Sequence, residues 1–357
     1  MMESGIASAA FRWASWICLK TLAIPGRSKA RSSAAASRSR RRRRSRSRAS
    51  RSSISSIDRS CGSRRRTVNR STSTIPRMHP IDAAVALGRR HGLESVEPRV
   101  LKDGSNLIVV LEPARVVVRV ATLTGWVRGD PGPFLQREVA LSEALAKAGA
   151  NVSGPSDRVP PGPHELAGWQ MSVTAWIDHV PGRPPDASST LAALDVLHAA
   201  LDGVAVPLPF LGPALGDLDS AWRRLTDVGI LRESEVTQRR AQRTELVRRL
   251  VAAAPERRPL HGDAYPRNAL VDADGRVVWI DFEDACVGPA AWDHAILIRQ
   301  GGDPAIEPIL RARDGDEAID AAIELRGLQA EAWTLVHDAR AAGRLPIPAS
   351  YARPGSA

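Results

Sequence analysis

Asp263, Asn268 and Asp281 are two carboxylates and an amide at spacings that one reaction could use together. Moving a phosphoryl group asks little covalent work of a protein. An acceptor hydroxyl must be oriented, and magnesium must be held against the phosphates to offset developing charge. In the run His261-Gly262-Asp263-Ala264-Tyr265-Pro266-Arg267-Asn268, Asp263 is suited to accept the hydroxyl proton, and Asn268 offers an amide oxygen to the metal. Ala269 to Asp272 reads as a strand, Asp274-Gly275 as a tight turn, and Arg276 to Ile280 as the partner strand. An antiparallel return brings Asp281 back beside Asn268, completing a set of hard oxygens that suits magnesium. Taken singly, Asp263 and Asn268 are residue types that commonly cap turns; the joint spacing with Asp281 is what points to chemistry.

The order His-Gly-Asp, then Asn, then an apolar strand ending Ile280-Asp281-Phe282, then Gly288-Pro289 and Trp292-Asp293, resembles the aminoglycoside phosphotransferase family. Protein kinases keep the same Asp, Asn, Asp order, with Arg where this chain has Gly262. The resemblance implies an α+β, protein-kinase-like two-lobed fold: a small β-rich N-lobe and a larger, mostly helical C-lobe. It implies ATP or GTP with Mg2+ as cofactors and a small-molecule hydroxyl acceptor as partner. His261 is expected to brace the catalytic loop. Asp293 is carried over from the family as support for that loop.

The elements that must position these groups are legible in outline. Pro98 to Lys102, Leu107 to Glu112 and Arg115 to Ala121 are short apolar runs broken by turn residues, as strands are. In the family the first turn covers the nucleotide phosphates, which points to Gly104, Ser105 and Asn106. The third strand is where the family carries a phosphate-gripping Lys; here the residue is Arg119, in a chain with 4 Lys against 46 Arg. Strand alternation puts Arg119 on the face opposite Val116, Val118 and Val120. After Pro131-Gly132-Pro133, an amphipathic helix with Leu135, Val139, Leu141 and Leu145 is expected to end at Gly149. The resemblance makes its Glu138 the partner of Arg119, with Glu143 the alternative on the same helix. Gln170 to Ile177 would be the strand and hinge between lobes. Leu191, Leu194, Leu197, His198 and Leu201 recur at helical spacing, as do Leu246, Val247, Leu250 and Val251, and Ala318, Ile319, Ala322 and Ile323.

Charge divides the chain sharply. Residues 1–77 carry 20 of the 50 Lys+Arg and 2 of the 39 acids, giving +18 there and −7 in the remainder. A disordered Arg/Ser-rich tail is expected over 1–77, with an N-lobe over 78–178 and a C-lobe over 179–357. Three readings of the tail stand: nucleic-acid binding through phosphates, an organelle transit peptide, or a stretch upstream of a natural start at Met78, the last favoured by the abrupt change of composition. No nucleic-acid partner is expected outside it. Ile17 to Ile24 is too short for a membrane span, and Cys286 is the single cysteine after residue 77, so neither a membrane partner nor a disulfide framework is expected and the location is taken as cytoplasmic.

The acidic balance after Met78, with Glu283 and Asp284 directly following Asp281, suits an amine-bearing acceptor such as an aminoglycoside. Two other functions remain open: a nucleotide-binding pseudokinase, because of Arg119, and an RNA-associated protein, because of the tail.

Overall fold

The computed structural model describes residues 78–182, 184–300 and 303–351. The expectations for the basic tail, including the Ile17 to Ile24 patch, lie outside the described residues.

Helix α1 (Pro80–Arg90) precedes strands β1 (Glu97–Asp103), β2 (Leu107–Glu112) and β3 (Val116–Val120). After α2 (Leu123–Arg128) and α3 (Gly132–Lys147), β4 (His164–Leu166) and β5 (Trp169–Ala175) complete an antiparallel sheet of order β1-β2-β3-β5-β4. The expected strands are present with ends moved by a residue: Arg115 takes a positive φ of 56° in the turn and so cannot belong to β3. Neither α2 nor the three-residue β4 was expected, being too short for a periodic signal.

Alternation along β3 sets the two faces. Val116, Val118 and Val120 are buried with Leu107, Val109 and Leu111 of β2, Met171 and Val173 of β5, and Ile81, Ala84 and Leu87 of α1. Each such side chain contributes roughly 1.5–3 kcal/mol of burial. Arg119 falls on the other face, in register with Ser172 of β5, and α3 packs there. Pro133 in the first turn of α3 suits a helix start. The inward stripe of α3 is Leu135, Glu138, Leu141, Ser142 and Leu145, so Glu138 is buried where Glu143 is exposed.

A second core lies among α4 (Ala187–Asp202), α5 (Gly212–Asp227), α6 (Glu233–Ala253), α7 (Ala291–Gln300), α8 (Ile306–Asp314) and α9 (Asp316–Ala341). Asp186 caps α4 by accepting from Ser189 N at 2.7 Å. Leu191, Leu194, Leu197 and Leu201 face inward, as do Leu246 and Leu250, and Ala318, Ile319 and Ala322. Val247 and Ile323 are only half-buried.

Two short antiparallel pairs carry the loops of interest. β6 (Arg258–Leu260) pairs with β9 (Cys286–Gly288), Leu260 opposite Cys286. β7 (Ala269–Val271) pairs with β8 (Val277–Trp279), Ala269 opposite Trp279. The hairpin thus returns as expected, around Gly275 at φ 80°.

Candidate active site

The loop His261 to Asn268 leaves β6 and enters β7, while Asp281 to Ala285 leaves β8 and enters β9. Both ends of both segments are therefore held by paired strands. Ile280 N donates to Asn268 O at 2.9 Å, which brings Asp281 beside Asn268. Asn268 Nδ2 donates to Asp263 Oδ2 at 2.9 Å and to Asp263 O at 3.0 Å. With its N–H groups committed to Asp263, the amide oxygen of Asn268 is turned away from that carboxylate.

His261 stands between the two segments. Its Nδ1 accepts from Asp263 N at 3.2 Å and its Nε2 pairs with Ile280 O at 3.0 Å, so the proton belongs on Nε2. The ring packs on Phe282 and Trp279, with centroids 4.7 and 5.2 Å away. Asp293, at the start of α7, is fully buried. It accepts from His261 N and His198 Nε2 through Oδ2, at 3.0 and 2.9 Å, and from Gly262 N through Oδ1 at 3.0 Å. Burial opposes its charge, but the His198 hydrogen bond and the Arg326 charge outweigh burial and hold its pKa below the ordinary value. His198, one of the residues recurring at helical spacing in α4, is a buried partner of this carboxylate.

Gly262 has no alternative residue. Its φ is +84°, and a Cβ there would sit 1.8 Å from Asp284 O. The loop and the segment after Asp281 touch through bare backbone at that point. Gly262 O accepts from Trp292 Nε1 at 3.2 Å and from Arg326 Nη2. Arg326, on α9, stacks on Trp292 with Cζ 3.6 Å from the ring centre, and its Nη1 lies 4.0 Å from Asp263 Oδ1. Burial raises the Asp263 pKa, helped by the Asp281 charge and opposed by Arg326. The side chain keeps 41 % of its surface exposed, so water at the open side limits that rise.

Asp281 adopts the left-handed conformation, φ 71° and ψ 62°, uncommon for a residue with a Cβ and best tolerated by Asp and Asn. Arg119 Nη2 stands 3.0 Å from its Oδ1 and 3.2 Å from Glu138 Oε1, and Nη1 lies 3.6 Å from Glu283 Oε1. The contact with Asp281 is an ion pair whose N–H is poorly aligned, which leaves the buried Oδ1 without a well-formed hydrogen bond. Burial works against the charged Asp281, yet Arg119 and Lys102 keep its pKa low. Glu138 receives Ser172 Oγ at 3.3 Å, and burial drives its pKa up to about 7 despite Arg119, with Asp281 and Glu283 adding to the rise.

Glu283 and Asp284 were expected to face a cationic acceptor. The structure turns both inward instead: the helical turn Phe282–Asp284 points them at Arg128 on α2, whose Nη1 donates to Glu283 Oε2 at 2.9 Å and Nη2 to Asp284 Oδ1 at 2.8 Å. Arg128 also grips Asp217 of α5, through Nε at 3.0 Å and Nη2 at 2.8 Å, and lies over Phe134. Their charge is answered within the protein. Across this region six carboxylates (Glu138, Asp217, Asp263, Asp281, Glu283, Asp284) face three guanidinium groups (Arg119, Arg128, Arg326). Carboxylates thus outnumber guanidinium groups, and burial pushes Glu138, Asp217, Asp263 and Asp284 toward holding a proton, a strain that a bound cation would relieve.

The β1–β2 turn comes to the same place. Asn106 is buried, its Nδ2 donating to Glu283 Oε1 at 3.0 Å and its Oδ1 accepting from Thr124 Oγ1. Gly104 N donates to Asn106 O at 3.0 Å, and Ser105 O accepts from Thr124 N at 2.9 Å. Gln170 to Ile177 is β5 followed by irregular backbone, as a connecting segment would be.

The model of the phosphotransferase enzyme family matches residues 99–334, a span that holds every one of these groups. The chain belongs to that family. Membership makes it a small-molecule phosphotransferase acting on hydroxyl groups. A search of curated proteins returns no match. Among solved structures, aminoglycoside phosphotransferase APH(3'')-Id from Streptomyces rimosus superposes with a TM-score of 0.50 at 19% identity, over 71% of this chain and 99% of that one. A thermostable mutant of aminoglycoside phosphotransferase APH(4)-Ia gives 0.50 at 17% identity, over 72% and 95%. Choline kinase LicA from Streptococcus pneumoniae gives 0.49 at 17%, over 71% and 90%. At such identities the likeness is one of fold, and the phosphotransferase has the kinase-like fold that its motif suggested.

Sequence reading missed Arg128, Arg326 and Asp217. An Arg on an amphipathic helix carries no mark of its role, and only the tertiary fold shows that these touch the loops.

Proposed function

We propose that the protein transfers the γ-phosphoryl group of ATP or GTP to the hydroxyl of a small molecule, with Asp263 at the reacting hydroxyl. The observation that carries this reading is the convergence of Asp263, Asn268 and Asp281 around His261, opposite Arg119 and Glu138. Asp263 orients the acceptor hydroxyl and takes its proton; with a loose transition state, orientation contributes more than early deprotonation. Arg119, held by Glu138, steadies the α- and β-phosphates, and the turn at Gly104, Ser105 and Asn106 covers them.

The residues fit magnesium. Asp281 Oδ1 is a buried acceptor without a well-formed hydrogen bond, Asn268 presents an amide oxygen, and both are hard ligands. Among the described residues no group of three His, Cys, Asp or Glu is arranged to hold a metal ion by itself. When bound, magnesium supplies charge neutralisation at the β- and γ-phosphate oxygens.

The carboxylate surplus and the −7 balance after residue 77 support an amine-bearing acceptor, attracted by the field of the cleft and not by Glu283 or Asp284 individually. Among the described residues no helix is long and apolar enough to cross a membrane, and the cytoplasm, where nucleoside triphosphates are made, is the proposed location. A second reading, a nucleotide-binding regulator without transfer, is favoured by one observation: Arg119 lies directly on Asp281.

Calorimetric titration of ATP and GTP into the full chain, with and without magnesium and beside Asp281→Ala, tests the nucleotide site. Magnesium-enhanced binding lost in the variant supports it; absence of binding by the folded parent sinks it. Hydroxyl acceptors are then screened, and transfer that disappears in Asp263→Ala separates the enzyme from the regulator.

A further inference from the structure

Arg340 is buried near the end of α9 and directs each guanidinium nitrogen to a separate acceptor. Nη1 donates to Gly104 O at 3.0 Å, Nη2 to Asp103 Oδ1 at 2.9 Å, and Nε to Pro348 O at 3.0 Å. Gly104 lies in the β1–β2 turn, and Asp103 is the last residue of β1, from which the chain enters it. One helical turn earlier on α9, His337 Nε2 lies 3.1 Å from Ser105 Oγ. The other oxygen of Asp103 accepts from Ser350 Oγ at 2.7 Å and Tyr351 N at 2.6 Å. The Tyr351 ring sits in the sheet core edge-on to Trp169, centroids 5.5 Å apart, and the Arg340 guanidinium lies 5.1 Å from its centre. The end of α9 and the segment after it therefore grip the turn.

A hairpin turn with Gly and Asn needs no such grip in order to turn. Burying a guanidinium is costly unless it is well hydrogen-bonded, and here each of its three nitrogens finds an acceptor. A turn that meets phosphates has a separate requirement: its backbone must hold its shape before the ligand arrives, or the entropy of ordering it weakens binding. We propose that Arg340 is the positioning residue of the nucleotide turn, fixing Asp103 and Gly104 from α9 so that the turn is preset for a nucleoside triphosphate. This rests on the nucleotide reading of Gly104 to Asn106. The same helix carries Arg326 beneath the catalytic loop, 14 residues earlier and about 21 Å along the axis, so one rigid element references both the turn and Asp263.

The test uses the full chain as parent, Arg340→Gln and Arg340→Lys, titrated calorimetrically with MgATP and separately with adenosine, which has no phosphates. Amide exchange at Gly104 to Asn106 is followed in parallel. Arg340→Gln is expected to weaken MgATP about tenfold, leave adenosine within about twofold, and speed turn exchange about tenfold while β2 and β3 stay protected. Arg340→Lys keeps the charge but not the fork, and is expected to lose about threefold for MgATP alone; it carries the test where Arg340→Gln does not fold. Equal weakening of both ligands would mean general loosening and overturn the proposal, as would unchanged turn exchange with unchanged MgATP affinity. A parent that binds neither ligand refutes the nucleotide reading, and the exchange data still judge the grip of Arg340 on the turn.

Discussion

Arg119 and Asp281 are paired across the cleft, with Nη2 3.0 Å from Oδ1, although they belong to a sheet strand and to a loop 162 residues further along the chain. A guanidinium has the reach to touch Asp281, Glu138 and Glu283 together, which a single ammonium does not. The protein thus keeps a cation on the carboxylate where magnesium would bind.

The consequence for magnesium is measurable. In Arg119→Lys, Asp281 loses part of its competing partner, and the magnesium concentration that half-saturates ATP binding is expected to fall about threefold to tenfold. Calorimetry across a magnesium series reads this directly. An unchanged or higher requirement would mean that Arg119 does not stand in the place of the metal.

Glu138 gives a pH signature. Its pKa rises from the ordinary 4.5 to about 7 in the fold, chiefly through burial, so between those values the folded state holds a proton that the unfolded chain has released. Stability from this group is full below about pH 4.5 and is lost as pH rises toward 7. Glu138→Gln cannot titrate, and its urea midpoint is expected to lack that decline. Parallel profiles for parent and variant over pH 4.5 to 7 would show the assignment to be wrong.

The grouping of Asp263, Asn268 and Asp281 was legible because they lie in one short stretch whose hairpin can be read from alternation and from Asp274-Gly275. The resemblance pointed to Arg119 and Glu138; alternation gave the face of Arg119, whereas the choice of Glu138 over Glu143 needed the fold, which buries only the former. Arg128 and Arg326 were not legible, since each is one of 46 Arg on a helix and acts on residues distant in sequence. The pairing of Glu283 and Asp284 with Arg128 was not legible, because adjacency to Asp281 does not tell which way a helical turn aims its carboxylates. The grip of Arg340 on Gly104 spans 236 positions, beyond any local pattern.

Asp293 holds the catalytic loop by its backbone, and removing it has a definite cost. Asp293→Ala leaves His261 N, Gly262 N and His198 Nε2 without their shared acceptor in a buried site. The expected destabilisation is roughly 3–5 kcal/mol, from buried donors left unpaired. Chemical denaturation measures it, and a loss below about 1 kcal/mol would indicate that the loop is held mainly by β6 and β7.

Gly262 offers the sharpest steric test, because its neighbour is backbone and cannot swing away. Gly262→Ala must move the Asp284 carbonyl or abandon a φ of +84°, and either change displaces Asp263 or Asp281. Overpacking and left-handed strain together are expected to cost roughly 2–6 kcal/mol. Where the variant still folds, phosphoryl transfer is expected to fall at least about a hundredfold, since displacements near 1 Å disrupt in-line geometry. Thermal melts measure the first effect and the rate of phosphoryl transfer from ATP the second, with magnesium-dependent ATP binding as a check on the nucleotide site. A variant with parental stability and parental nucleotide affinity would show that the close approach between the loop and Asp284 is not needed to set the site.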